Sequence, residues 1–213
     1  LRGRELGDEL WLDLLWVPAR GGEPQFVVNL KNRGASRRMP RLSWSPDGTR
    51  IFFFEDVGDG EAERTVLASI RPDGTVDCLI PHFDYPNGLA FSPDERLLYV
   101  ANTRPGQYIQ VYEVQADGTV AHGRHFADMS SPDATNGVPD GMKVDVEGRV
   151  YCTGPGGCWV FDPAGSLIGI IRLPEYPANC AWGGPDNQTM FFTANTSIYS
   201  LRMRTPGTRI PRA

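Results

Sequence analysis

Apolar residues along this chain recur in short alternating runs, and the runs come in pairs. "LSWSPDGTRIFFF" starts at Leu42, "LAFSPDERLLYVA" at Leu89, "MKVDVEGRVYCT" at Met142 and "CAWGGPDNQTMFFT" at Cys180. Each has an alternating start, a polar turn, and a second run rich in aromatic and β-branched residues. That pattern predicts a β-hairpin. A further apolar strand follows each pair: "TVLASI" at Thr65, "IQVYEV" at Ile109, "CWVFD" at Cys158 and "SIYSLRM" at Ser197. Three of these continue through "RPDGT", "QADGT" or "DPAGS" to a last strand, "VDCLI", "HGRHFA" or "LIGIIRL". The period is about 40–50 residues with four strands per unit, the spacing of a β-propeller blade. Evenly spaced hairpins would also suit a β-sandwich, but here the units share turn position as well as strand count. No segment reads as a long amphipathic helix, so the predicted class is all-β.

The opening "LWVPARGGEPQFVVNL" reads as the closing hairpin of a preceding unit, and the last set lacks its closing strand. Joining the two would complete one blade from both chain ends. About four blades result, at the lower limit of the roughly four to eight of closed propellers.

Composition narrows the function. The 213 residues carry a formal net charge of -5, which leaves no basic footprint for nucleic acid. Apolar runs such as "IFFF" at Ile51 and "LIGII" at Leu167 fall far short of the roughly 18 residues of a membrane span. The start, "LRGRELGDEL", has neither a basic nor an apolar leader region, and its opening Leu suits a fragment or a processed chain. Cys78, Cys152, Cys158 and Cys180 form no CxxC and have no His at ligand spacing, so they read as reduced, buried, small apolar residues. Reduced thiols favour a cytoplasmic location. His82, His122 and His125 fall away from the starts of inner strands and read as loop or outer-strand residues. No GxSxG elbow exists, which argues against a serine esterase.

In a propeller the first strand of each blade lines the central channel. Align the residue before each first turn: Trp44, Phe91, Val144 and Trp182. Four residues earlier stand Pro40, Asn87, Asp140 and Ala178. Asn87 and Asp140 therefore occupy equivalent places. Singly, Asn-Gly and Asp-Gly are common turn dipeptides. As an equivalent pair they bring a neutral carbonyl oxygen and a carboxylate to one channel end, the hard oxygen donors that Ca²⁺, Mg²⁺ or Mn²⁺ require.

The stretches "PNGLAFSPDERLLYVANT", "GVPDGMKVDVEGRVYCTGPGGCWVFDPAGSLIGIIRLPE" and "PANCAWGGPDNQTMFFTANTSIYSLRM" resemble the gluconolactonase / senescence-marker-protein / luciferin-regenerating family, from about Gly74 to Pro206. The resemblance implies a six-bladed propeller, here incomplete, with one divalent cation in its channel and hydrolysis of lactones or related esters. The family's ligand Asn of the "PNG" segment and ligand Asp of the "PDGM" segment fall on Asn87 and Asp140. The implied cofactor is a divalent cation, Ca²⁺ first, with Zn²⁺, Mn²⁺ or Mg²⁺ as alternatives. The implied partner is a small-molecule lactone, with no nucleic acid and no membrane; no protein partner is indicated. Asp140 is also the candidate catalytic residue, orienting or deprotonating the attacking water.

The family's further Glu, in an "EGP"-like motif, has no counterpart; "GGEPQF" places Glu23 in an outer hairpin. Its second Asn, one blade before the "PNG" segment, is replaced by Pro40. Residues 1–73 resemble repeats of Tol-type and peptidase propellers instead. The expected organisation is a single propeller domain over 1–213, with a divergent front (1–73) and a gluconolactonase-like region (74–206). The expected function is metal-dependent hydrolysis of a sugar lactone. The alternatives are a non-catalytic binding propeller or a partial chain lacking part of its metal site.

Overall fold

The computed structural model describes residues 2–6, 9–16, 23, 25–32, 42–45, 49–57, 64–71, 73–131 and 137–208. Every element among them is a β-strand. The chain divides into two compact units, Leu1–Phe83 and Asp84–Ala213.

The first unit holds two antiparallel sheets. One is β1 (Arg2–Leu6), β2 (Glu9–Trp16) and β3 (Gln25–Asn32); the other is β4 (Leu42–Trp44), β5 (Ile51–Val57), β6 (Arg64–Ile70) and β7 (Val76–Phe83), paired in chain order. The expected opening hairpin is β2 and β3. An additional strand, β1, pairs with β2, so the opening strands form a sheet of their own. The strand sharing expected between the chain ends is not among the described pairings; strands joined by short connections pair with each other first.

The second unit holds three sheets, each again in chain order. They are β8 (Pro86–Phe91), β9 (Leu97–Asn102), β10 (Tyr108–Val114) and β11 (Val120–Asp128); β12 (Met142–Val144), β13 (Val150–Gly154), β14 (Gly157–Phe161) and β15 (Leu167–Ile171); and β16 (Pro177–Gly183), β17 (Thr189–Ala194) and β18 (Ile198–Arg202). Successive four-stranded antiparallel meanders are propeller blades. Leu89, Phe91, Met142, Val144, Cys180 and Trp182 all lie on the first strands, β8, β12 and β16, as expected. His82 lies on β7, and His122 and His125 on β11, the last strands of their sheets.

The repeated first turn has one mechanism in three sheets. Ser45 N–H donates to the Arg50 carbonyl (2.8 Å), and Arg50 N–H returns to Ser45 Oγ (2.8 Å). Ser92 does the same with Leu97 (2.9 and 3.0 Å). In the next sheet Asp145 takes the serine's place, with Arg149 as partner (3.1 and 3.0 Å). A short oxygen-bearing side chain closes the turn by capping the first amide of the returning strand.

Strand parity builds the core. On β13 and β14, Val150, Cys152, Trp159 and Phe161 pack with Tyr99, Ile109, Val111 and Phe126 of the preceding sheet. The alternate residues Tyr151, Cys158 and Val160 pack with Cys180, Met190 and Phe192 of the following sheet. Side chains alternate across a strand, so a sheet covered on both faces needs apolar residues at every position. That is why "VYCT" and "CWVF" are continuous runs. Cys152, Cys158 and Cys180 are free and buried in these layers. Burial pushes the Cys152 thiol well above its ordinary value. Cys78 is a correction: it is free but exposed on β7, the outermost strand of its sheet.

After β18 the chain crosses to the neighbouring sheet. Val146 N–H donates to the Pro206 carbonyl, and Thr208 N–H to the Val144 carbonyl, each at 3.1 Å. Asn187 Nδ2 holds the Gly207 carbonyl at 2.7 Å.

Candidate functional site

The candidate residues lie where β8, β12 and β16 begin, with β12 beside β8 on one side and β16 on the other. Two glycines set the spacing. A Cβ on Gly88 would stand 2.0 Å from the Asp140 carbonyl oxygen. A Cβ on Gly141 would stand 2.1 Å from Asn179 Oδ1 and 2.6 Å from its Cα. Neither approach tolerates a side chain, so the Gly of each Asn-Gly and Asp-Gly dipeptide is there for packing across strands.

Fully buried Thr153 ties the starts of β12 and β16 together. Its carbonyl accepts Asp140 N–H (2.9 Å), and its own N–H donates to the Gly141 carbonyl (2.9 Å). Its hydroxyl lies 3.3 Å from the Gly141 carbonyl and 3.1 Å from that of Ala178. Gly141 N–H also donates to the Ala178 carbonyl (3.0 Å).

Asn87 is 9% exposed. Its Nδ2 donates to the Pro139 carbonyl at 3.3 Å, a bond only the nitrogen end of the amide can make. The amide is thereby oriented, with Oδ1 as its remaining end. Three buried side-chain atoms have no hydrogen-bond partner among the described residues: Asn87 Oδ1, one oxygen (Oδ1) of Asp140, and Trp182 Nε1. The Asp140 carboxylate has other interactions. An unmet buried acceptor costs about 1–3 kcal/mol, so the Asn87 carbonyl is a place that a water, an ion or a ligand donor would fill. Tyr176 lies just before β16. Burial and then the charge of Asp140 raise its phenol above the ordinary value.

A carbonyl oxygen and a carboxylate on touching backbone segments are a hard-oxygen donor set, and the donor chemistry fits a divalent cation. No cluster of three or more His, Cys, Asp or Glu able to hold a metal occurs among the described residues. Glu23 is exposed and lies between β2 and β3. Pro40, the expected counterpart of Asn87 in the first unit, lies outside the described residues.

Alignment on Asn87 and Asp140 leads to Ala178 in the third sheet, a residue with no functional side chain. The polar group there belongs to the next residue, Asn179. The signal that finds it is that Asn179 stands where the other two strands have Gly88 and Gly141.

A fold of antiparallel blades with polar groups gathered at the starts of their first strands defines a propeller of the lactonase type. The chain matches the SMP-30/Gluconolactonase/LRE-like region over residues 25–196 and belongs to that family. The match takes in much of the front that resembles other propeller repeats.

Among curated relatives it is 35% identical over 144 residues to a gluconolactonase of Zymomonas mobilis, covering 65% of this chain and 40% of that protein. It is 32% identical over 130 residues to the pentonolactonase XacC of Haloferax volcanii, covering 60% of this chain and 44% of that protein. The chain thus spans less than half the length of these two relatives. Among solved structures, a gluconolactonase of Xanthomonas campestris superposes with a TM-score of 0.70 at 30% identity, covering 93% of this chain and 69% of that one. A calcium-binding regucalcin of Agrobacterium tumefaciens superposes with a TM-score of 0.69 at 16% identity, covering 97% and 78%; at that identity the likeness bears on the fold alone.

Proposed function

We propose that this chain carries out metal-dependent hydrolysis of a sugar lactone, with Asn87 and Asp140 as its protein ligands. The observation that carries the proposal is the buried Asn87 Oδ1, oriented by the bond to Pro139 and unmet by any described donor. The named activities of the gluconolactonase and pentonolactonase relatives support the substrate class.

A bound cation would supply Lewis-acid polarisation of the lactone carbonyl. Asn87 would contribute a neutral oxygen to holding it, and Asp140 the negative charge. Asp140 also orients the attacking water and accepts its proton as the water oxygen bonds to the carbonyl carbon. The ring C–O bond then breaks, and its oxygen takes that proton from Asp140 to leave as a hydroxyl of the open-chain acid. Two protein ligands with one formal charge make a weak site, with a dissociation constant for Ca²⁺ on the order of 10⁻⁴–10⁻³ M. That no cluster of three or more His, Cys, Asp or Glu able to hold a metal occurs among the described residues favours the second reading, a propeller that binds a sugar without hydrolysing it.

The test is hydrolysis of gluconolactone by pH-stat, with millimolar Ca²⁺ or Mn²⁺ and with chelator, beside calorimetric titration of each cation. Turnover is expected only with cation. Asp140→Asn should abolish it, and Asn87→Ala should weaken cation binding. Chelator-resistant turnover that survives Asp140→Asn would place the chemistry elsewhere.

A further inference from the structure

We infer that Asn179 is a substrate-binding residue, donating a hydrogen bond from Nδ2 to a ring hydroxyl of a polyhydroxylated lactone. The inference rests on the lactonase reading of the Asn87–Asp140 site.

Its first support is placement. Asn179 follows Ala178, whose carbonyl accepts Gly141 N–H at 3.0 Å. The Asn179 amide lies flat against Gly141, since a Cβ there would meet its Oδ1 at 2.1 Å and its Cγ at 2.3 Å. Gly141 is bonded directly to Asp140, so the amide borders the residue proposed to hold the cation.

The second support is orientation. Cys180 N–H donates to Asn179 Oδ1 at 2.8 Å. Only the oxygen end of the amide can accept that bond, so the assignment of the two ends is chemically fixed. Nδ2 is the remaining end, and no described residue accepts from it. Asn179 is half-buried, so its donors can be met by solvent or by a ligand. Asn87 and Asn179 are thus held in opposite senses: Asn87 is anchored by its nitrogen and presents an oxygen, while Asn179 is anchored by its oxygen and presents a nitrogen.

The third support is chemistry. A neutral amide N–H₂ offers two donors and no charge, which suits a hydroxyl or ring oxygen better than a carboxylate or phosphate. Because the backbone of Cys180 already holds the side chain, little rotamer freedom is lost when a ligand accepts from it.

The test uses gluconolactam, a hydroxylated ring whose amide resists hydrolysis, titrated calorimetrically into the chain at saturating Ca²⁺. The variants are Asn179→Ala, which removes the amide, and Asn179→Asp, which keeps an acceptor for Cys180 N–H but has no N–H. Each is expected to bind gluconolactam about fivefold more weakly, the worth of one neutral hydrogen bond. Ca²⁺ affinity of Asn179→Ala should equal that of the parent, which separates substrate contact from metal positioning. If Asn179→Ala does not fold, the Asp variant carries the measurement. Parent-like lactam affinity in either folded variant overturns the inference, as does a parent chain that binds no gluconolactam. A fall in Ca²⁺ affinity matching the fall in lactam affinity also overturns it. Lactam binding without lactone hydrolysis by the parent would sink the hydrolytic reading and leave this contact standing. Hydrolysis with unchanged lactam binding in both variants would do the reverse.

Discussion

Two aspartates flank the short strand β12, and their hydrogen bonding differs. Asp145, at its C-terminal end, is 0% exposed with every lone-pair direction used. Its Oδ1 accepts the N–H groups of Glu147 and Arg149, each at 3.0 Å. Its Oδ2 accepts Arg149 Nε at 2.7 Å and the Tyr151 hydroxyl at 3.1 Å. Arg149 reaches on to Glu147 and Thr205, which ties in the C-terminal segment. Burial first, and then the Asp145 charge, push the Tyr151 phenol up to about 12. Asp140, at the other end, keeps a buried oxygen that no described group donates to, beside an Asn87 acceptor in the same condition. A carboxylate whose oxygens are all engaged by its own chain is architecture. One that has other interactions but keeps a buried oxygen without a donor, on a backbone segment touching that of Asn87, is a ligand-binding candidate.

The sharpest way to break this contrast is Asp145→Ala. It leaves Arg149 and two backbone amides without their acceptor, and losing one partner of a buried pair costs about 3–5 kcal/mol. The partial exposure of Arg149 places the expected loss at the lower end, read as a drop in the urea midpoint at unchanged slope. A loss within about 0.5 kcal/mol would show that the Asp145 network is not architectural.

Gly88→Ala comes next. The added Cβ collides with the Asp140 backbone, and overpacking of this kind costs about 1–3 kcal/mol. Cation affinity should fall with stability, because Asp140 has to move away from Asn87. Unchanged cation binding would uncouple the two residues.

Asp140→Asn is expected to change stability by no more than about 0.5 kcal/mol, since it is near-isosteric. It should nonetheless remove cation-dependent turnover. A loss as large as that of Asp145→Ala would erase the distinction between the two aspartates.

The smallest effect is a pH effect away from both. Glu175 holds Thr196 Oγ1 (2.6 Å), Thr196 N–H (2.9 Å) and Ser197 Oγ (3.1 Å). These bonds, that of the Thr196 hydroxyl foremost, lower its carboxyl from 4.5 to about 2. The depressed value means the stabilisation is complete above 4.5 and disappears as pH falls through about 2. Glu175→Gln should therefore lower Tm slightly at pH 7 and not at all below pH 2, by thermal melts followed with circular dichroism. A pH-independent difference would rule out the carboxylate as its source.

Much of this molecule is legible in its sequence because propeller physics is local. Alternation, turn residues and a common period place every first strand of the second unit, and the position of the first turn isolates Asn87 and Asp140. β1 escapes notice because "RGREL" has no apolar alternation to reveal it. Asn179 escapes because alignment counts positions along a strand, whereas its role depends on the glycine of the neighbouring strand that it covers.

The order of the strands within the second unit and the equivalence of Asn87 and Asp140 as candidates were legible in sequence alone, since both follow from turns and alternation that repeat along the chain. Which residues stand against Asp140 was decided only by the tertiary structure. "PDGM" and "VDVEGR" each offer one aspartate in a turn-like context. Asp145 finds its arginine, its tyrosine and two amides within six residues along the chain, whereas the segment of Asp140 meets that of Asn87 only when strands far apart in sequence come together. Hydrogen-bond satisfaction is a property of the whole neighbourhood, and much of that neighbourhood comes from other strands.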